Sequence, residues 1–295
     1  MGSKQNIAYS LMLAMVQKKP KAKYFFDIFG GGAAMSLMAK QFGLKVFYTE
    51  KSAGIVNLLN FLKDNKIPDD WIRWISREEF KSCLGKDDPF STFVTVVWSF
   101  GNNRQAYLFG KDIEEPKRLA FEVIVNQDEK ALAELNKEFG GRLRMPKGAD
   151  VHSRRLDFSK QAKRLGGNRA IAIERMELAD KLALTQSLTQ MECCSRLQQL
   201  EYLQQLEYPY EEVIIYCDPP YRGTAEYTDN GFNPKEFDEW VKKLKYDVFI
   251  SEYDAPFEKI ASFGKLALLN NNKEKRTTVQ ENLYYHKGSL GDGCD

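Results

Sequence analysis

In the stretch "IIYCDPPYRGTAEY", Asp218-Pro219-Pro220-Tyr221 joins a carboxylate, two rigid residues and an aromatic ring directly after a β-branched apolar run. A carboxylate at a strand end accepts hydrogen bonds from an amino group. Proline lacks an N–H, so Pro219 and Pro220 stiffen the turn and leave its carbonyls as acceptors, while Tyr221 adds a flat face. Acceptors beside a face suit a planar base carrying an exocyclic amine. A second cluster, "DIFGGG" at 27–32, sets three glycines where a strand gives way to a helix. Without a Cβ, backbone N–H groups approach a ligand closely, and a helix N-terminus favours negative charge. Glu50 closes the following apolar run, where an acid commonly holds ribose hydroxyls. The glycines fit a dinucleotide-type site or tight packing with no ligand, since a G-x-G-x-x-G/A pattern begun at Gly30 meets Met35 at its last position. Asp-Pro-Pro alone is equally an ordinary turn. After "VIIYC", and with the glycines and Glu50 upstream, the chemical reading prevails.

The elements that must position these residues alternate. "KYFFDIFGGGAAMSLMAKQFG" predicts a strand ending near Phe29, a glycine turn and a helix closing at Gly43; "LKVFYTE" predicts a second strand and "AGIVNLLNFLKDN" a second helix. This β-α-β-α opening calls for a mostly parallel sheet with helices on its faces. The alternation resumes late: "EEVIIYC" and "YDVFISEYD" read as strands and "PKEFDEWVKKLK" as the helix between them. Residues 65–205 break the pattern and read as an insertion, with 1–64 and 206–295 as the two halves of one sheet domain. Within the insertion, apolar residues recur every third position from Leu188 to Leu206, through "RLQQLEYLQQLE". That spacing fits either a helix packed on several sides or a stack with three residues per turn; the helix is favoured.

With 43% hydrophobic and 28% charged residues, the 295-residue chain has the makings of a buried core. No run approaches the roughly 18 apolar residues of a membrane-spanning helix. "IAYSLMLAMV" has no signal-peptide cleavage site and reads as an amphipathic helix. Five cysteines without a C-x-x-C pair, and two distant histidines, indicate neither a disulfide framework nor a metal site, and a reducing cytoplasm is expected. Formal net charge is +2, yet residues 141–169 hold nine Lys/Arg against Asp150 and Asp157. Such a run is either a solvated face or a phosphate-contacting surface.

"DIFGGG" followed by "DPPY", with an insertion between, resembles the Dam-type (alpha-group) DNA adenine N6-methyltransferases. "MGSK" is similar to the family's amino-terminal cofactor motif, "FYTEKSAGIVNLLNFLK" to its acidic-strand segment and "FISEYDAP" to its post-catalytic strand, so the likeness covers 1–62 and 212–257. It implies a Rossmann-like α/β sheet with an inserted, mostly helical target-recognition domain. The implied cofactor is S-adenosylmethionine, held by Lys4, Asp27, Phe29, Gly30, Gly31, Gly32, Ala33, Glu50 and Asp218, with Lys4 and the glycines near the methionine carboxylate and Glu50 on the ribose. The implied substrate is adenine in double-stranded DNA, flipped out of the duplex, with Asp218, Pro219, Pro220 and Tyr221 as the catalytic set and the protein acting as a monomer. Arg142, Arg144, Lys147, Arg154 and Arg155 are then the candidate DNA contacts. Cytosine N4 is the alternative target, although enzymes of that kind usually carry Ser where Asp218 stands. A homologue that binds DNA or cofactor without catalysis is a further alternative. No Pro-Cys dipeptide occurs, which weighs against methylation at cytosine C5.

Overall fold

The computed structural model describes residues 4–100, 103–138, 140, 142–164, 192–195, 207–221, 232–266 and 278–290. They fall into two compact units, 57–189 and 2–56 with 190–295. The second unit is built on a seven-stranded sheet of order β3-β2-β1-β4-β5-β7-β6. Its strands are β1 (Tyr24–Asp27), β2 (Lys45–Glu50), β3 (Glu192–Ser195), β4 (Val213–Cys217), β5 (Val248–Glu252), β6 (Glu258–Leu266) and β7 (Thr278–His286). The first five in spatial order are parallel, whereas β7 pairs antiparallel with both β5 and β6.

β4 is buried at every position, as expected of a central parallel strand covered on both faces. On one face Phe26 stacks on Phe47 at 4.5 Å between ring centroids. That core continues through Val213, Ile215, Cys217, Val248 and Ile250 to Phe237, Val241 and Leu244. Phe237 and Val241 come from a helix at Pro234–Lys242, whose start is set by Asn233 accepting from the Lys235 N–H and by Pro234 in the first turn. Helices α1 (Ala8–Lys18), α2 (Ala34–Gln41) and α3 (Ala53–Asp64) are those the apolar spacing predicts.

In the unit 57–189 the described regular elements are helical, principally α4 (Arg77–Cys83), α5 (Pro89–Val97), α6 (Glu114–Phe121), α7 (Glu129–Glu138) and α8 (Val151–Arg164). A π-helical turn, Glu122–Asn126, continues α6. Its core gathers Leu119, Val123, Ile124 and Leu135 with Phe158 and Ala162 of α8. The segment before α8 is tied along it: the Arg144 N–H donates to Gln161 Oε1 at 2.8 Å and the Lys147 N–H to Asp157 Oδ2 at 3.0 Å.

One expectation is corrected. The three-residue apolar repeat favours a helix, yet Glu192–Ser195 is strand β3, paired with β2 from Phe47↔Glu192 to Glu50↔Ser195. A period of three drifts around a helix and never builds a steady buried stripe, whereas β2 offers an edge to extend. The sheet thus recruits a strand from inside the stretch 65–205. The hexamer repeat, 196–207, lies outside the described residues except for its final Glu207.

Candidate active site

β1 and β4 lie side by side with Asp27 opposite Tyr216, so the chain emerging from each opens at the same edge of the sheet. The β1 connection leads through α2 to β2, and the chain after β4 leads to β5 on the other side. That divergence makes the carboxyl ends of the two strands a topological switch point, the place where open α/β sheets bind ligands.

The β1 side of this edge is shaped by backbone demands. Gly30 lies against Tyr48: a Cβ there would come within 2.0 Å of the tyrosine ring. Gly31 takes φ +48° in the left-handed region that glycine enters at little cost. Tyr48 donates its hydroxyl proton to the Gly31 carbonyl at 2.7 Å, and the Gly31 N–H donates to Glu50 Oε2 at 3.0 Å. The other Glu50 oxygen accepts from the Ser52 N–H, also at 3.0 Å. Gly32 is exposed with open space where a side chain would stand, and Ala33, with φ +60°, precedes α2. Phe29 is half-buried, edge-on to Phe237 at 5.8 Å.

Asp27 is 1% exposed. Its Oδ2 accepts from the Ser36 hydroxyl at 2.6 Å, while Oδ1 is buried with no hydrogen-bond partner among the described residues. Burial, followed by the repulsion of Asp218 and Glu50, pushes its carboxyl up to about 7 despite the Ser36 bond. Three acids that the sequence selected therefore share one electrostatic neighbourhood.

On the β4 side, Pro219 is buried and Pro220 and Tyr221 are half-buried. The Lys4 ammonium stands 2.8 Å from Asp218 Oδ1 and 2.6 Å from Glu281 Oε1, and it also donates to the Tyr221 hydroxyl. That hydroxyl in turn donates to Glu281. Burial would lower the Lys4 pKa, but the Asp218 and Glu281 carboxylates outweigh it and hold the lysine above its ordinary range. Lys4, expected at the cofactor carboxylate, is thus held between Asp218, Tyr221 and Glu281. The Tyr221 ring is edge-on to Tyr253 at 4.5 Å.

Glu281, Ser36 and Tyr253 join the site through contacts that sequence spacing does not indicate. The local sequence gives no signal for Glu281, since "TVQENLYYH" sets it between Gln280 and Asn282 in a strand of mixed polarity. Of the candidate DNA contacts, Arg142, Arg144 and Lys147 are exposed, whereas Arg154 and Arg155 on α8 are half-buried. These five belong to the unit 57–189. Among the described residues, no group of three or more His, Cys, Asp or Glu is placed to hold a metal ion, and no helix is long and apolar enough to cross a membrane.

Compared with known proteins, the chain matches no family and no curated sequence.

Proposed function

We propose that this protein transfers a methyl group from S-adenosylmethionine to N6 of an adenine flipped out of double-stranded DNA, acting as a monomer in the cytoplasm. The observation that carries the reading is the adjacency of β1 and β4, which brings the glycine turn and Asp218-Pro219-Pro220-Tyr221 to the same edge of the sheet.

The residues fit the cofactor. Glu50 is held by two backbone N–H groups, and each of its oxygens keeps acceptor capacity for one hydroxyl of a ribose diol. Asp27 Oδ1 is a buried acceptor in want of a donor, which the ammonium of a methionine moiety is suited to provide. Bound cofactor supplies an electrophilic methyl on sulfur.

The chain's own part is orientation. Asp218 and the Pro219 carbonyl accept hydrogen bonds from the two N–H groups of the target amine, drawing the nitrogen lone pair out of conjugation and toward the methyl. Extruding the base costs a few kcal/mol, and stacking on Tyr221 returns roughly 1–3 kcal/mol. The Tyr221 hydroxyl, tied to Lys4 and Glu281, fixes the plane on which the base would lie. The effect expected of such positioning is to make transfer effectively unimolecular. Arg142, Arg144, Lys147, Arg154 and Arg155 are assigned to phosphates or base edges, of which only the latter specify sequence.

Incubation with methyl-labelled cofactor and mixed-sequence duplex DNA, followed by nucleoside analysis, tests the reading. Label in N6-methyldeoxyadenosine is the expected result. Label in N4-methyldeoxycytidine would move the target to cytosine, and unlabelled DNA would refute transfer.

A further inference from the structure

Lys4 is 4% exposed and Glu281 is fully buried, yet they lie 277 residues apart in sequence and meet at 2.6 Å beside Asp218. Burying two such charges is justified energetically only by close pairing, and plain packing would be met by apolar residues at both places. What the pair does locally is visible in its third member. Asp218 is 22% exposed, the open end of the cluster, and it receives the lysine at 2.8 Å on Oδ1.

We infer that Glu281 is a positioning residue for the tetrapeptide: it anchors Lys4, and Lys4 fixes Asp218 through Oδ1 and Tyr221 through its hydroxyl, so that carboxylate and ring present one geometry to the incoming base. This rests on the methyltransferase reading for its consequence but not for its contacts. The charged and titratable groups facing Lys4 are Asp218 and Tyr221 after β4, Glu281 on β7 and Tyr253 after β5. Two carboxylates against one ammonium leave the cluster with an excess negative charge. Either carboxylate alone then leaves the buried ammonium less well compensated, because burial opposes its charge.

Glu281→Gln keeps the size and the acceptor oxygen while removing the charge. Its kcat is expected to fall by up to roughly a hundredfold, the scale of misplacing a reacting group by about 1 Å, with KM for cofactor and DNA little changed. The alkaline limb of the kcat profile should shift to lower pH, since Lys4 then loses its proton more easily. Carbon-13 NMR of ε-labelled lysine reads the same event without substrate: Lys4 should titrate at lower pH in Glu281→Gln than in the wild type. A folded Glu281→Gln protein with unchanged kcat and unchanged Lys4 titration would overturn the inference. Should that variant not fold, Glu281→Asp carries the test, because withdrawing the carboxylate by one methylene should lower kcat while leaving Lys4 charged; full wild-type kcat would be the contrary result. If the wild type itself transfers no methyl group, the methyltransferase reading falls, and the Lys4 titration alone decides whether Glu281 governs this cluster.

Discussion

At the amino edge of the sheet, Lys19 donates to Asp247 Oδ2 and to the Tyr210 carbonyl, both at 2.9 Å, and Asp247 Oδ1 accepts from the Gly288 N–H at 3.0 Å and from the Tyr210 hydroxyl. At the carboxyl edge, Lys4 is shared between two carboxylates, and Asp27 keeps a buried oxygen with no hydrogen-bond partner among the described residues. Burial would raise the Asp247 carboxyl, yet the donors around it hold it below its usual range. Burial raises Asp27 to about 7. One edge satisfies its charges and the other leaves acceptors in surplus. The same sheet thus separates a cluster that staples strands from one that keeps a buried acceptor without a donor among the described residues.

The contrast can be broken most severely at the satisfied edge. Lys19→Met strands a buried carboxylate and should cost about 3–5 kcal/mol of stability, read from denaturant melts, while leaving the transfer rate per folded molecule unchanged. Lost activity without lost stability would show that the amino edge is not merely structural.

Asp27 sharpens the other side. Its folded pKa lies above the unfolded value, so the folded state binds the extra proton and stability declines as pH rises from about 4 to 7, by at most about 4 kcal/mol. Asp27→Asn should remove that decline, melting higher than wild type at pH 8 but not at pH 4, and should weaken cofactor binding. Equal pH dependence in the two proteins would mean that Asp27 is not held in tension.

An effect of comparable size is expected at Glu50→Ala, which should weaken cofactor affinity by about 1.5–3 kcal/mol for each charge-assisted hydrogen bond lost. Calorimetry with unchanged affinity would remove Glu50 from the ribose.

The smallest concerns the basic unit. Arg144→Ala with Lys147→Ala should flatten the slope of log affinity for duplex DNA against log salt by about 0.9 per lost phosphate contact. Arg154→Ala with Arg155→Ala should flatten it less, because these two side chains are half-buried on α8. An unaltered slope in both would make the run a solvated face.

Much of the carboxyl edge could be read from the sequence because its parts are local. Strand-ending Asp27, Glu50 and Asp218, with their glycine and proline turns, announce themselves within a few residues of an apolar run. The partners of Lys4 could not be read this way, since Glu281 reaches it through an antiparallel strand at the far end of the chain. The Lys19–Asp247 staple is hidden for the same reason, its members standing 228 positions apart in sequence. Strand β3 was obscured by a three-residue period that belongs to neither a strand nor a regular amphipathic helix, and only its pairing with β2 reveals it.

The central claim is that Asp218, at the open end of the surplus-acceptor edge, holds the amine that receives the methyl group. Single-turnover transfer from labelled cofactor to duplex DNA, measured for the wild type and Asp218→Ala with folding checked by melting, tests it directly. The account predicts a cooperative melt near that of the wild type and a transfer rate lower by roughly a hundred- to a thousandfold, the scale of losing one oriented group in a preorganised site. A folded Asp218→Ala protein that transfers methyl within about threefold of the wild-type rate would contradict it.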